Sequence, residues 1–133
     1  MFADSCKTKK VYDRTLYLHP IALMILFDMQ VYTIENNLEF VVTETATSLQ
    51  EDKQVGRKHS THRTGRAFDL RNRSWSHLEI KDFENYFNNK YKRYAAISGD
   101  GTPNLIVSKL HGTGPHFHVQ IHSKYSLNLN LSD

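Results

Sequence analysis

The sequence predicts an α+β domain in which an antiparallel sheet carries its helices on one face. Two stretches, 21–36 and 80–91, hold apolar residues at helical spacing, whereas 38–43, 67–71 and 116–122 are short β-type segments. A Gly-containing turn at 99–104 joins 94–98 to 105–110 as a hairpin, and a second at 111–115 leads on into 116–122, which points to antiparallel pairing.

The elements follow in order. Residues 1–17 show no period and read as a loose N-terminal arm, leaving 18–133 as a single domain. Pro20 suits the first turn of a helix, where its missing N–H is not needed. From Ile21 to about Asn36 apolar residues fall on most faces (Leu23, Met24, Leu26, Phe27, Val31, Ile34), which predicts a buried helix. Leu38 to Thr43 is β-branched and extended, a core strand. Thr45 to Ser60 is polar, contains Gly56 and reads as one long loop. Ala67 to Arg71 alternates as a strand, with Phe68 and Leu70 on one side and Ala67, Asp69 and Arg71 on the other. Ser76-His77-Leu78-Glu79 is a capping box, with Trp75 and Ile80 placed for a hydrophobic staple. The helix it opens carries Ile80, Phe83, Tyr86, Phe87 and Tyr91 toward the sheet. A hairpin then runs from Tyr94 to Ser98 and back from Leu105 to Leu110. The final turn, His111 to Pro115, leads into His116–His122.

Composition bounds the chemistry. At 133 residues, 39% hydrophobic and 23% charged, the chain has the make-up of one ordinary globular domain. Its single cysteine, Cys6, excludes an internal disulfide and a cysteine-based zinc site, so any metal must be held by His and Asp/Glu. A net charge of +3 suits an anionic polymer. No RNA-binding aromatic signature or recognition helix appears, which argues against nucleic acid. The longest apolar run, Ile21 to Phe27, falls far short of the roughly 20 residues that cross a bilayer. No signal peptide is expected, and synthesis in the cytoplasm follows.

The chemistry concentrates in Ser60-Thr61-His62-Arg63-Thr64-Gly65-Arg66-Ala67-Phe68-Asp69 and in His116-Phe117-His118. Strand alternation puts His116, His118, Gln120 and His122 on one face and Phe117, Val119 and Ile121 on the other. Successive imidazoles on that face stand about 6–7 Å apart. Two imidazoles and one carboxylate are what a catalytic zinc asks of a protein, with a fourth position left for water. His19, His59, His77, His111 and His122 read instead as surface or hydrogen-bonded histidines.

Ser60, His62, Gly65, Ala67 and Asp69 form Ser-x-His-x-x-Gly-x-Ala-x-Asp, which resembles the signature of the zinc D-Ala-D-Ala carboxypeptidases and dipeptidases and of the phage L-alanyl-D-glutamate endopeptidases. His116-Phe117-His118 is similar to that family's closing motif, and the resemblance spans about residues 20 to 122 in element order. It implies the fold shared with the Hedgehog signalling domain, with one zinc ion held by His62, Asp69 and His118. It also implies a catalytic His116, a loop oriented by Ser60, a turn permitted by Gly65 and close packing beneath the site at Ala67. The implied activity is hydrolysis of amides in peptidoglycan stem peptides or cross-links by a small phage lysin or virion-associated enzyme, made in the host cytoplasm and acting at the wall. Partners would be bacterial peptidoglycan and virion proteins, with neither nucleic acid nor membrane.

Two departures stand out. The carboxypeptidase branch has a Glu or Asp shortly before the last histidine, where this chain has Gly112, Thr113, Gly114 and Pro115. His116 is the first replacement as general base, and Asp100 a weaker one. The family's Ser-Gly-Tyr-Arg stretch is matched by Glu44-Thr45-Ala46-Thr47, which has no arginine. Arg57, Arg63 and Arg66 are the candidate replacements, and Ser60 and Arg66 are the expected substrate contacts. These departures motivate an alternative: a catalytically inactive, zinc-stabilised structural or wall-binding virion component.

Overall fold

The computed structural model describes residues 2–109 and 114–132. Their order is α1 (Lys9–Asp13), α2 (Pro20–Glu35), β1 (Val42–Glu44), α3 (Leu49–Gln54), β2 (Ala67–Arg71), α4 (His77–Lys90), β3 (Ala96–Ile97), β4 (Pro103–Asn104), β5 (Ile106–Lys109) and β6 (His116–Gln120). A four-stranded antiparallel sheet runs β1-β2-β6-β5, and β3 pairs with β4 in a separate ribbon. The fold is α+β, as the segment pattern predicts.

Alternation on β2 and β6 separates an apolar face from a polar one. Leu70 pairs with Phe117 and Phe68 with Val119, and all four are buried. Helix α4 closes over this face. Its capping box forms, with Ser76 accepting from Glu79 N–H at 3.1 Å and Glu79 accepting from Ser76 N–H at 2.8 Å. Phe83 stacks on Phe117 at 4.7 Å, and Trp75 meets both rings edge-on. Trp75 donates its indole N–H to the Glu39 carbonyl at 3.1 Å. Helix α2 adds the next layer through Tyr32, which lies against Phe83 and Phe87. Phe83, Phe87 and Phe117 are fully buried, and each contributes about 1.5–3 kcal/mol. The opposite face of β2 and β6 carries Asp69 and His118.

Five expectations change. Helix α2 starts on Pro20 with His19 as its cap, but it is not buried all round: Met24, Phe27, Val31 and Ile34 form an exposed stripe opposite Ala22, Ile25, Leu26 and Met29. The strand expected over 38–43 is confined to Val42–Glu44, and its pairing with β2 slips by one residue between Val42 and Glu44. The loop over 45–60 contains α3, which a second capping box, Ser48 with Glu51, nucleates. The return strand after β3 ends at Asn104, where Asn88 Oδ1 takes the N–H groups of both Leu105 and Ile106 at 2.9 Å, and β5 joins β6 instead. Finally, residues 2–17 are not a loose arm. Thr8 caps α1, Val11 is buried, and Cys6 bridges in parallel to Val42. The turn at 111–113, with His111, Gly112 and Thr113, and Leu110 at the end of the expected strand lie outside the described residues.

Candidate metal centre

The segment before β2 is a tight turn. Thr64 N–H donates to the Ser60 carbonyl at 2.9 Å, Gly65 N–H to His62 at 3.1 Å, and Arg66 N–H to Thr61 at 3.1 Å. Gly65 sits at φ +72°, a conformation open to glycine and strained for other residues. The turn buries His62, and β2 then carries Asp69 directly opposite His118 of β6. Ala67 is fully buried beneath.

His62 Nε2 lies 3.2 Å and His118 Nδ1 3.0 Å from the same oxygen, Asp69 Oδ1. One ligand atom from each of the three residues falls within 4.8 Å of the other two, and all three residues are buried. The far side of each ring is fastened as well. His62 Nδ1 donates to the Thr45 carbonyl at 2.8 Å, and His118 Nε2 donates to Gln120 Oε1 at 2.8 Å. A carbonyl oxygen only accepts, so these bonds place the ring protons outward and turn two lone pairs toward the carboxylate. Three electron-rich atoms so close need a cation among them, whether a proton or a metal ion. Ligands at the ordinary 2.0–2.2 Å around a tetrahedral ion stand about 3.3 Å apart, close to the two separations from Asp69 Oδ1. Outward N–H bonds to oxygen are also how metal-binding histidines are usually oriented. The residues fit a metal ion.

Electrostatics follow this crowding. Burial alone opposes ionisation of Asp69, but the imidazoles of His62 and His118 outweigh it and hold the carboxyl well below the usual range. Burial likewise works against a charged His62, and Asp69 overrides it, so the imidazole binds a proton more tightly than usual. Burial raises Glu44 above its ordinary value despite the nearby His62 and Arg57.

These residues open into a cleft of about 1190 Å³. Lys7, Arg57, Lys58, Arg63, Arg66, Arg71 and Arg73 line it, against two carboxylates among the described residues, Glu44 and Asp69. His116 and Ser60 line it too. His116 stands outside the ligand group, and its Nδ1 donates to the Gly114 carbonyl at 3.0 Å. Arg66 reaches the cleft with one nitrogen bound to the Ile121 carbonyl at 3.0 Å. Asp100 does not line the cleft: its carboxylate accepts from Ser98 Oγ and Thr102 N–H within its own turn. His19 and His122 each accept a backbone N–H two residues on, as caps. Sequence reasoning missed Glu44, and its only signal was its place in the stretch where the family arginine was absent.

Comparison with protein-family models, with curated proteins and with solved structures finds no match in any of the three. Among the described residues no helix is long and apolar enough to cross a membrane.

Proposed function

We propose that this chain is a zinc peptidase of the Hedgehog/DD-peptidase fold, akin to the D-Ala-D-Ala carboxypeptidases and L-alanyl-D-glutamate endopeptidases, which hydrolyses amides in peptidoglycan stem peptides or cross-links. One observation carries the reading. Three motif residues from two distant segments, His62, Asp69 and His118, meet at a single point with both imidazole lone pairs turned inward. When bound there, zinc supplies a Lewis acid and a water acidified to a pKa near 7.

The chain's own groups do the rest. The Thr45 carbonyl and Gln120 hold the two rings in one tautomer. The cationic wall draws a peptide that carries carboxylates, as stem peptides do. His116 is the candidate catalytic histidine, Ser60 and Arg66 the candidate substrate contacts. In this reading the protein is made in a host cytoplasm and reaches the wall on lysis or in a virion.

Purified protein mixed with bacterial sacculi should release new amino groups, and chelator should stop the release. Zinc should be present at about one per chain. Silence across several wall chemistries refutes the peptidase. If zinc is still bound, that result favours the zinc-stabilised structural or wall-binding component.

A further inference from the structure

Strand β1 carries a charged side chain where its alternation calls for an apolar one. Val42 pairs with Leu70 on the apolar face, and both are buried. Residues two apart on a strand share a face, so Glu44 should follow Val42 into the core opposite Phe68. It does not. The one-residue slip pairs Glu44 with Asp69 instead. A slip of one residue moves a side chain to the other face, and strand irregularities of this kind re-aim side chains beside active sites. Glu44 accordingly lines the cleft with His62, Asp69 and His118 while standing outside the ligand group.

A buried anchor stands behind it. Asp52 is fully buried, accepting from Thr47 Oγ1 at 2.7 Å, Arg57 Nη1 at 2.7 Å and Arg63 Nη1 at 3.2 Å. A buried carboxylate is tolerated only when paired and hydrogen-bonded in this way. The second terminal nitrogen of Arg57 reaches Glu44 Oε2 at 3.8 Å, an ion-pair contact too long for a hydrogen bond. Arg57 therefore steadies Glu44 without occupying its oxygens. Among the described residues, Glu44 and Asp69 are the only carboxylates lining the cleft, and Asp69 already serves both imidazoles.

We infer that Glu44, re-aimed by the slip in β1 and steadied by the Asp52-anchored Arg57, carries the proton during amide hydrolysis; this rests on the peptidase reading above. The water oxygen bonds to the carbonyl carbon while Glu44 accepts one of its protons. Glu44 returns that proton to the amide nitrogen as the C–N bond breaks with its electron pair going to nitrogen. The new acid and amine exchange the remaining proton and leave as carboxylate and ammonium. Glu44 thus fills the role left open before the last histidine, from the other side of Asp69. Arg57 and Asp52 are positioning residues.

The test uses the full zinc-loaded chain, with zinc content, folding midpoint, KM and kcat measured on sacculi. Glu44→Gln should keep its zinc, its midpoint and a KM within about threefold while kcat falls by about 10²–10⁴-fold. Glu44→Asp should recover part of that loss. Arg57→Ala should lower kcat, and Arg57→Lys should restore most of it. A Glu44→Gln enzyme that turns over within threefold of wild type, or that loses zinc as a ligand variant does, overturns the assignment. A wild type that releases no amino groups overturns the peptidase reading and this assignment with it.

Discussion

The carbonyl oxygen of Tyr17 lies 2.5 Å from where a β-carbon on Gly65 would stand. Real β-carbons do not approach backbone so closely, and φ +72° adds strain for any other residue. The two segments are also hydrogen-bonded beside this contact, His19 N–H donating to the Gly65 carbonyl at 2.7 Å. Gly65→Ala should therefore destabilise the protein by about 2 kcal/mol or more, the combined scale of left-handed strain and a displaced backbone contact. Urea unfolding measures it; an unchanged midpoint would contradict the geometry.

Metal titrations separate the histidines. His62→Ala and His118→Ala should bind little zinc, because each removes one of three converging donors. His116→Ala should keep its zinc and, with Glu44 rather than His116 carrying the proton, lose less than about 10²-fold in turnover; a larger loss with zinc retained would return the general-base role to His116. Gln120→Leu should weaken zinc binding by about 10–100-fold by releasing the outer nitrogen of His118. If His116→Ala empties the site and His118→Ala does not, the two roles are exchanged.

Acid should loosen the junction between α1 and α3. Partial burial disfavours a charged Glu51, but Lys10, the Ser48 N–H and Arg14 outweigh it and bring the carboxyl down to about 2. A lowered folded-state pKa gives stability that is complete above the unfolded value near 4.3 and is lost as pH falls through about 2. Solvent screens the Lys10 side, so the effect should be on the order of 1 kcal/mol. Glu51→Gln should flatten the decline in stability between pH 4.5 and 2. An acid profile identical to wild type would refute the coupling.

Cys6 should be a poor nucleophile in the native state. Burial pushes its thiol up to about 11, so very little thiolate exists at pH 8. Alkylation by iodoacetamide should be slow in the folded protein and become fast once denaturant releases the segment. Rapid labelling under native conditions would show that residues 2–17 open on their own.

What the sequence disclosed was mostly local. His62, Asp69 and His118 were legible because a motif spacing and one strand alternation place them, and both depend on near neighbours. The Ser76–Glu79 helix start was legible for the same reason. Ser48–Glu51 carries the same signal, but amid a polar stretch with no apolar period to extend it into a helix. Glu44 was beyond sequence reasoning, because its face depends on a slip in the pairing of β1 with β2, a property of two strands together. The fate of the segment after β3 was hidden likewise, since the Asn88 amide intercepts Leu105 and Ile106 from another element. The exposed stripe on α2 was obscured by uniformly apolar composition, which hides which side meets the core.

The parallel bridge from Cys6 to Val42, extended by the Lys7 N–H bond to the Val42 carbonyl at 2.8 Å, shields the outermost strand of the main sheet. Bare sheet edges are templates for another chain. Deleting the first seventeen residues would then do more than shorten the protein: it would uncover hydrogen-bonding groups next to Glu44 and invite self-association at the rim of the cleft.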